Sequence, residues 1–205
     1  TQRKLNNQHF SIPYITCDFV YSQLIHLDIS KNTGSVQSSK HGAPIIAPTL
    51  TQIFNLSIYK ADFPAYLSWL ELSQYKKGPS IDYINYKPIS VLPITSLILE
   101  RHVNLHLKAY LELNSLFYFR QSSFREHHSC QTALIKIIYD WLSAINENKI
   151  AGSLCLDVFK AFDLVDHSIL THKLKLYNID TSWFSSYLNI RFQQTHHGGT
   201  ISDKR

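Results

Sequence analysis

Asp157 is the residue whose setting most invites chemistry. It nearly closes an apolar run, Ile150 to Val158 (IAGSLCLDV), and is followed by Phe159, Lys160, Ala161, Phe162, Asp163, Leu164, Val165, Asp166 and His167. Such a run predicts a short buried strand, and a carboxylate at its end sits where a sheet opens to a cleft. An ionised carboxylate is costly near a core unless it is paired, hydrogen-bonded or on a metal. Mg²⁺ held by one or two carboxylates plus substrate phosphates is one solution. A strand-end Asp that caps the next turn is another, and on spacing alone the commoner one. Asp163 and Asp166 read as caps of a helix beginning near Ser168.

Other candidates are weaker. His102 and His106 lie four apart on a predicted helix, but no Glu or Cys joins them at zinc-site spacing. His127-His128 and His196-His197 are adjacent pairs, whose side chains tend to diverge. Lys76-Lys77-Gly78-Pro79-Ser80 reads as a basic turn. Asn55-Leu56-Ser57 is a glycosylation sequon on paper only. Cys17, Cys130 and Cys155 are odd in number and far apart, so they read as reduced thiols without disulfide partners.

The elements that must position these groups are mostly helical. Residues 1–47 read as a poorly defined leader or linker, with a Ser/Asn/Gly-rich loop from Asp28 to Gly42. Pro48-Thr49-Leu50 opens a helix with Leu50, Ile53, Phe54 and Ile58 on one face, stopping near Phe63-Pro64. Tyr86 to Pro93 reads as extended, since Pro88 biases Lys87 away from helix. A helix follows from about Thr95 to Asn114, with Leu99, Val103, His106, Leu107, Tyr110 and Leu111 on one stripe. Gln121 to Ser129 is a loop. Next, Leu134, Ile137, Ile138, Trp141, Leu142 and Ile145 give the clearest amphipathic helix, from Ser129 or Cys130 to Asn146–Lys149. Ser168 to Tyr177 and Asp180 to Asn189 are two short helices, the second capped by Asp180 or Thr181. This order points to α/β or α+β, helix-rich.

Composition sets mild bounds. The 205 residues suffice for a core without metal or disulfide staples. The net charge of +5 suits a nucleic-acid partner and a solvated surface equally. No run is long and apolar enough to span a membrane, and the polar opening from Thr1 has no signal-peptide pattern. An intracellular protein, nuclear or cytoplasmic, is expected. The chain contains no Met, so an initiator end is read as missing.

One segment is recognisable. Leu156 to His167 closely resembles the first catalytic block, L-D-L-x-K-A-F-D-x-V-D-H, of LINE-type (non-LTR) retrotransposon reverse transcriptases. Four further blocks follow the family's order. Tyr75 to Gly78 is similar to F-K-K-G, and Asn85 to Pro93 to N-Y-R-P-I-S-L-L-P. Gln121 to Arg125 with His128-Ser129 is similar to Q-x-G-F-R…H-S-T, and Trp183 to Gln193 to W-F-x-S-Y-L-x-x-R-x-Q. Ala47 to Ile58 fits the segment ahead of them, so the resemblance runs from about residue 43 to the end.

The resemblance implies part of a right-hand polymerase fold: fingers over residues 48–149 and the start of the palm over 150–205. It implies an RNA-directed DNA polymerase with RNA template, DNA primer and dNTPs as partners, using two Mg²⁺ ions. Asp157 matches the family's first metal-binding Asp, with the Val158 carbonyl as a second metal contact. Phe162 matches the aromatic under the incoming sugar that favours dNTP over rNTP; plain core packing is its other role. Lys87 stands where the family usually has an Arg on the triphosphate, and supplies charge without a bidentate fork. Lys76 and Lys77 add phosphate contacts from a fingertip turn or form a solvated basic turn. Arg125 faces the template or primer backbone or makes a structural salt bridge.

Departures matter too. The P-Q-G and A-D-D blocks that carry the other two catalytic carboxylates have no counterpart here, so these 205 residues are expected to be inactive alone. Ser123 replaces a family Gly, a penalty if that site needs positive φ, and Phe159 replaces a small or polar residue. Changes like these fit a degenerate copy or a non-catalytic remnant that binds nucleic acid.

Overall fold

The computed structural model of the chain describes residues 8–26, 42–76, 86–158, 160–189, 192–197 and 200–203. The loop expected at Asp28 to Gly42 falls almost wholly outside them, as do Lys77 and most of the basic turn. Two compact units result: Thr1–Tyr110 with His167–Arg205, and Leu111–Asp166.

The first unit holds the core. Helix α1 (Cys17–Ile25) starts where the Thr16 hydroxyl accepts the Phe19 N–H at 3.2 Å, and it buries Val20 and Leu24. Helix α2 (Ala43–Lys60) buries Ala43, Ala47, Leu50, Phe54 and Ser57, a four-three-four-three spacing that is one helical face. It starts five residues before Pro48. Pro44, in the first turn, supplies the fixed φ of a helix start, and Pro48 is carried inside. The helix stops at Ala61 in the left-handed region, φ 51°, where Asp62 N–H bonds back to Ser57 O at 3.1 Å.

The residues before Pro48, read from sequence as a leader, supply Phe10, Ile15, Val20 and Leu24 to this core. Asn55 of α2 binds the entering chain, accepting Ile15 N–H at 2.8 Å and donating to Ile15 O at 3.0 Å. The sequon's amide is thus engaged with backbone.

After a 3₁₀ turn (Ala65–Leu67) come strands β1 (Trp69–Lys76) and β2 (Tyr86–Val91). β1 pairs antiparallel with β2 and parallel with β3 (Phe192–His197), and β3 pairs with the short β4 (Thr200–Ile201), giving the order β2-β1-β3-β4. Pro88 lies on β2, an edge strand of this sheet, where a missing N–H is tolerated. β1 and β3 are additions to what the sequence suggested, and Lys76 is the last residue of β1 rather than part of a turn.

Helix α3 (Ile94–Leu113) runs as expected, but its face differs: Ser96, Ile98, Leu99, His102 and Val103 are buried and His106 is exposed. Helices α4 (Cys130–Asn146), α5 (His167–Leu176) and α6 (Ser182–Asn189) match the expected spans to within two residues. α6 docks on the end of α2 through an aromatic and hydroxyl cluster. Trp183 Nε1 donates to Ser57 Oγ at 3.0 Å, and Phe63 stands edge-on to Trp183 and Tyr187. Ser186 Oγ accepts Phe63 N–H at 2.9 Å and donates to Asp62 Oδ1 at 2.6 Å.

The second unit is different. α4 is well capped: Ser129 Oγ accepts Thr132 N–H and Thr132 Oγ1 accepts Ser129 N–H, a capping box with Thr in place of Glu. Yet none of its residues is buried. The run expected as a buried strand, 150–158, is neither strand nor buried: Ile150, Leu154, Leu156 and Val158 are all exposed. A strand needs a neighbour for its N–H and C=O groups. The described strands pair only among themselves in the first unit, so the apolar run has neither ladder nor second layer.

The described architecture is therefore helix-rich, with one mixed sheet. No described helix is long and apolar enough to cross a membrane.

Candidate functional site

Asp157 sits in the exposed, irregular stretch after α4. The following segment folds into a tight turn, in which Lys160 has φ 51° and its carbonyl accepts Asp163 N–H at 3.0 Å and Leu164 N–H at 3.2 Å. Phe162 rides on this turn, 78% exposed, with its ring edge-on to Phe124 at 6.3 Å. That exposure sets aside plain core packing among the described residues. Asp157, Val158 and Phe162 thus share one short surface segment of the second unit.

Arg125 lies in the same unit, paired with Glu112. Nε and Nη2 donate to the two Glu112 oxygens, both at 3.0 Å, Nη1 reaches Gln121 O at 3.4 Å, and the ring of Phe117 lies 5.4 Å away. The Glu112 hydrogen bond raises the guanidinium above its ordinary value. Of the two sequence readings for Arg125, the ion pair is present. Glu112 was not singled out from sequence; a lone carboxylate in the last turn of α3, before a loop containing Arg125, was its only signal. Two residues of the Gln121–Ser129 loop are left-handed, Phe124 at φ 62° and His127 at φ 59°, and Ser123 is neither of them, so the strain considered there falls on its neighbour.

Sequence reading also passed over the run Phe117-Tyr118-Phe119-Arg120. Tyr118 and Phe119 are 60% and 59% exposed, and Arg120 and Lys136 lie over the Phe119 ring at 5.4 and 5.7 Å. Aromatic planes beside cations are the chemistry of base stacking on single strands.

In the first unit, the β1–β2 register pairs Tyr75 with Lys87 and Lys76 with Tyr86, putting Lys76 and Lys87 on adjacent rungs. Lys77 lies outside the described residues. His102 and His106 meet ring to ring at 4.5 Å, and His102 Nε2 lies 2.8 Å from Pro13 O. Burial, above all, lowers the His102 pKa; the Pro13 bond opposes this and His106 adds to it.

The fit to a pair of metal ions can be tested on these residues. Two metals acting on one displacement lie ~4 Å apart and need several ligands converging on them. Cys155, Asp163, Asp166 and His167 stand near Asp157 in sequence, but the described residues contain no cluster of three or more His, Cys, Asp or Glu able to hold a metal. These residues alone do not fit a two-metal centre.

Comparison with known proteins gives the family. Residues 75–204 match the reverse transcriptase (RNA-dependent DNA polymerase) family. Over 128 residues the chain is 30% identical to the probable RNA-directed DNA polymerase from transposon X-element of Drosophila melanogaster, covering 62% of this chain and 14% of that protein. Over 95 residues it is 32% identical to the RNA-directed DNA polymerase from mobile element jockey of Drosophila funebris, covering 46% of this chain and 10% of that protein. The aligned regions are thus about one seventh and one tenth of the length of these relatives. The match over most of its length shows that the chain belongs to the reverse transcriptase family.

Proposed function

We propose that residues 48–149 are the fingers and residues 150–205 the first palm block of an RNA-directed DNA polymerase with a right-hand fold. The observation that carries this reading is the family match over residues 75–204, which spans the Leu156–His167 block. In the whole enzyme Asp157 and the Val158 carbonyl would help hold Mg²⁺, and Phe162 would lie under the sugar of an incoming dNTP. Lys87, Lys76 and Lys77 would meet its triphosphate. An RNA template and a DNA primer are the macromolecular partners, in nucleus or cytoplasm. For Arg125 the bond to Glu112 favours a role in holding the 114–129 loop over direct contact with a nucleic-acid backbone.

A second reading applies to this chain by itself: a nucleic-acid-binding piece without catalysis. It is favoured by the absence of a metal-holding cluster among the described residues. The test is primer extension on an RNA template with Mg²⁺, beside a binding assay on the same hybrid. The expected result is no extension, with salt-dependent binding that Asp157→Ala leaves unchanged. Extension abolished by Asp157→Ala would overturn the second reading. Failure to bind any hybrid would count against both.

A further inference from the structure

Between α5 and α6 lies a groove of about 290 Å³ lined by His167, Ser168, Thr171, His172, Lys175, Ser185, Leu188 and Asn189. The α5 members recur at i, i+1, i+4, i+5 and i+8, which is one face of the helix. The α6 members at i, i+3 and i+4 form the facing stripe. Two neighbouring helices ordinarily fill such a groove with aliphatic side chains. Here Leu188 is its only apolar lining residue, while Ile169 and Leu176 of α5 are exposed elsewhere.

The chemistry of the lining is one-sided. It offers an ammonium, two imidazoles, hydroxyls and an amide, and no carboxylate. Lys175 makes it hostile to a cation, and its imidazoles belong to no metal-holding cluster. The nearest carboxylate along the chain between the two helices, Asp180, is held by Ser182 N–H at 2.9 Å and Ser182 Oγ at 2.8 Å. A compact oxyanion matches these donors: several hydrogen bonds converge on it and a fixed positive charge faces it.

We propose that this groove binds a phosphate group, that of a nucleic-acid backbone. The choice of backbone as its source rests on the function proposed above; the choice of phosphate rests on the lining alone.

The test uses the whole 205-residue chain and two probes: a labelled single-stranded RNA of mixed sequence, followed by anisotropy, and inorganic phosphate, followed by the imidazole NMR signals of His167 and His172. His172→Ala with Lys175→Ala should weaken RNA binding about tenfold near 0.1 M salt and lower the salt slope by about one to two. Lys173→Ala is the control, because that ammonium lies over the Tyr177 ring at 5.8 Å and is not in the groove. It should change affinity less than about twofold, with unchanged thermal melting for all variants. Saturable shifts with inorganic phosphate but no effect of the groove variants on RNA would support the phosphate site and assign it to a free phosphate. An equal loss from Lys173→Ala, or imidazole signals unmoved by either probe, would overturn it. A wild-type chain that binds no RNA would defeat the nucleic-acid reading, and the inorganic phosphate titration would then decide the groove separately.

Discussion

In the first unit Phe54 and Leu99 are fully buried on helices whose apolar residues recur at three- and four-residue steps. In the second, Ile138 and Trp141 lie on a helix of the same period and are 42% and 40% exposed. Both helices have the pattern, and α4 has the better N-terminal cap. What separates them is a second layer. α2 has α1 against it and the Trp183 cluster at its end, whereas no α4 residue is buried. Periodicity and capping decide that a helix forms; burial decides what it adds to stability.

The largest test of this contrast compares two truncations. Phe54→Ala should destabilise the chain by about 3–5 kcal/mol in urea unfolding, and Ile138→Ala by about 0.5 kcal/mol or less. Equal losses would erase the distinction between the units. Next in size is the buried hydroxyl at the α2–α6 contact. Ser57→Ala leaves Trp183 Nε1 without its acceptor and should cost about 1–3 kcal/mol; an unchanged melting midpoint would show the cluster is not part of the first unit's stability. A smaller effect belongs to the second unit. Ser129→Ala should cost α4 about 1 kcal/mol, visible as faster amide exchange within Cys130–Asn146 and not in α2. Exchange that accelerates in both helices together would mean the units open as one.

The last test is a slope. His102 has its pKa lowered in the folded chain from the ordinary 6.5. The unfolded chain therefore takes up the proton first as pH falls. Stability is complete at neutral pH and declines below about 6.5, toward the lower folded value. His102→Gln should flatten that decline, and a decline unchanged by the substitution would assign it to other groups.

Much of the helical part was legible in sequence because its signals are local. The spans of α3, α4, α5 and α6 follow from period, with Ser129 capping α4 and Asp180 bonding the start of α6 where expected. What failed was non-local. An apolar run such as 150–158 reads the same whether or not a partner strand exists. The parallel pairing of Trp69 with Phe192 spans most of the chain and leaves no mark at either end. Phe10 showed no period, because a single bridge to Ile179 places it. At the candidate site, sequence singled out Asp157, Phe162 and Arg125 by residue type. Glu112 was not, because an ion pair between a helix end and a loop has no spacing rule.

The Phe10–Ile179 bridge has a consequence for chain topology. Phe10 exchanges backbone hydrogen bonds with Asn178 and Asp180 at 2.9 Å, and the Tyr110 hydroxyl ties Gln8 to Tyr177. The two segments of the first unit, ending at Tyr110 and resuming at His167, are thus tied to each other through Tyr177 and Asn178, and Leu111–Asp166 is inserted between them in sequence. Closure entropy grows only slowly with loop length, about 0.6 kcal/mol per doubling. A first unit held this way can accommodate a long, short or rewritten excursion at nearly constant stability, so sequence in the segment bearing Asp157 is free to drift without unfolding what carries it.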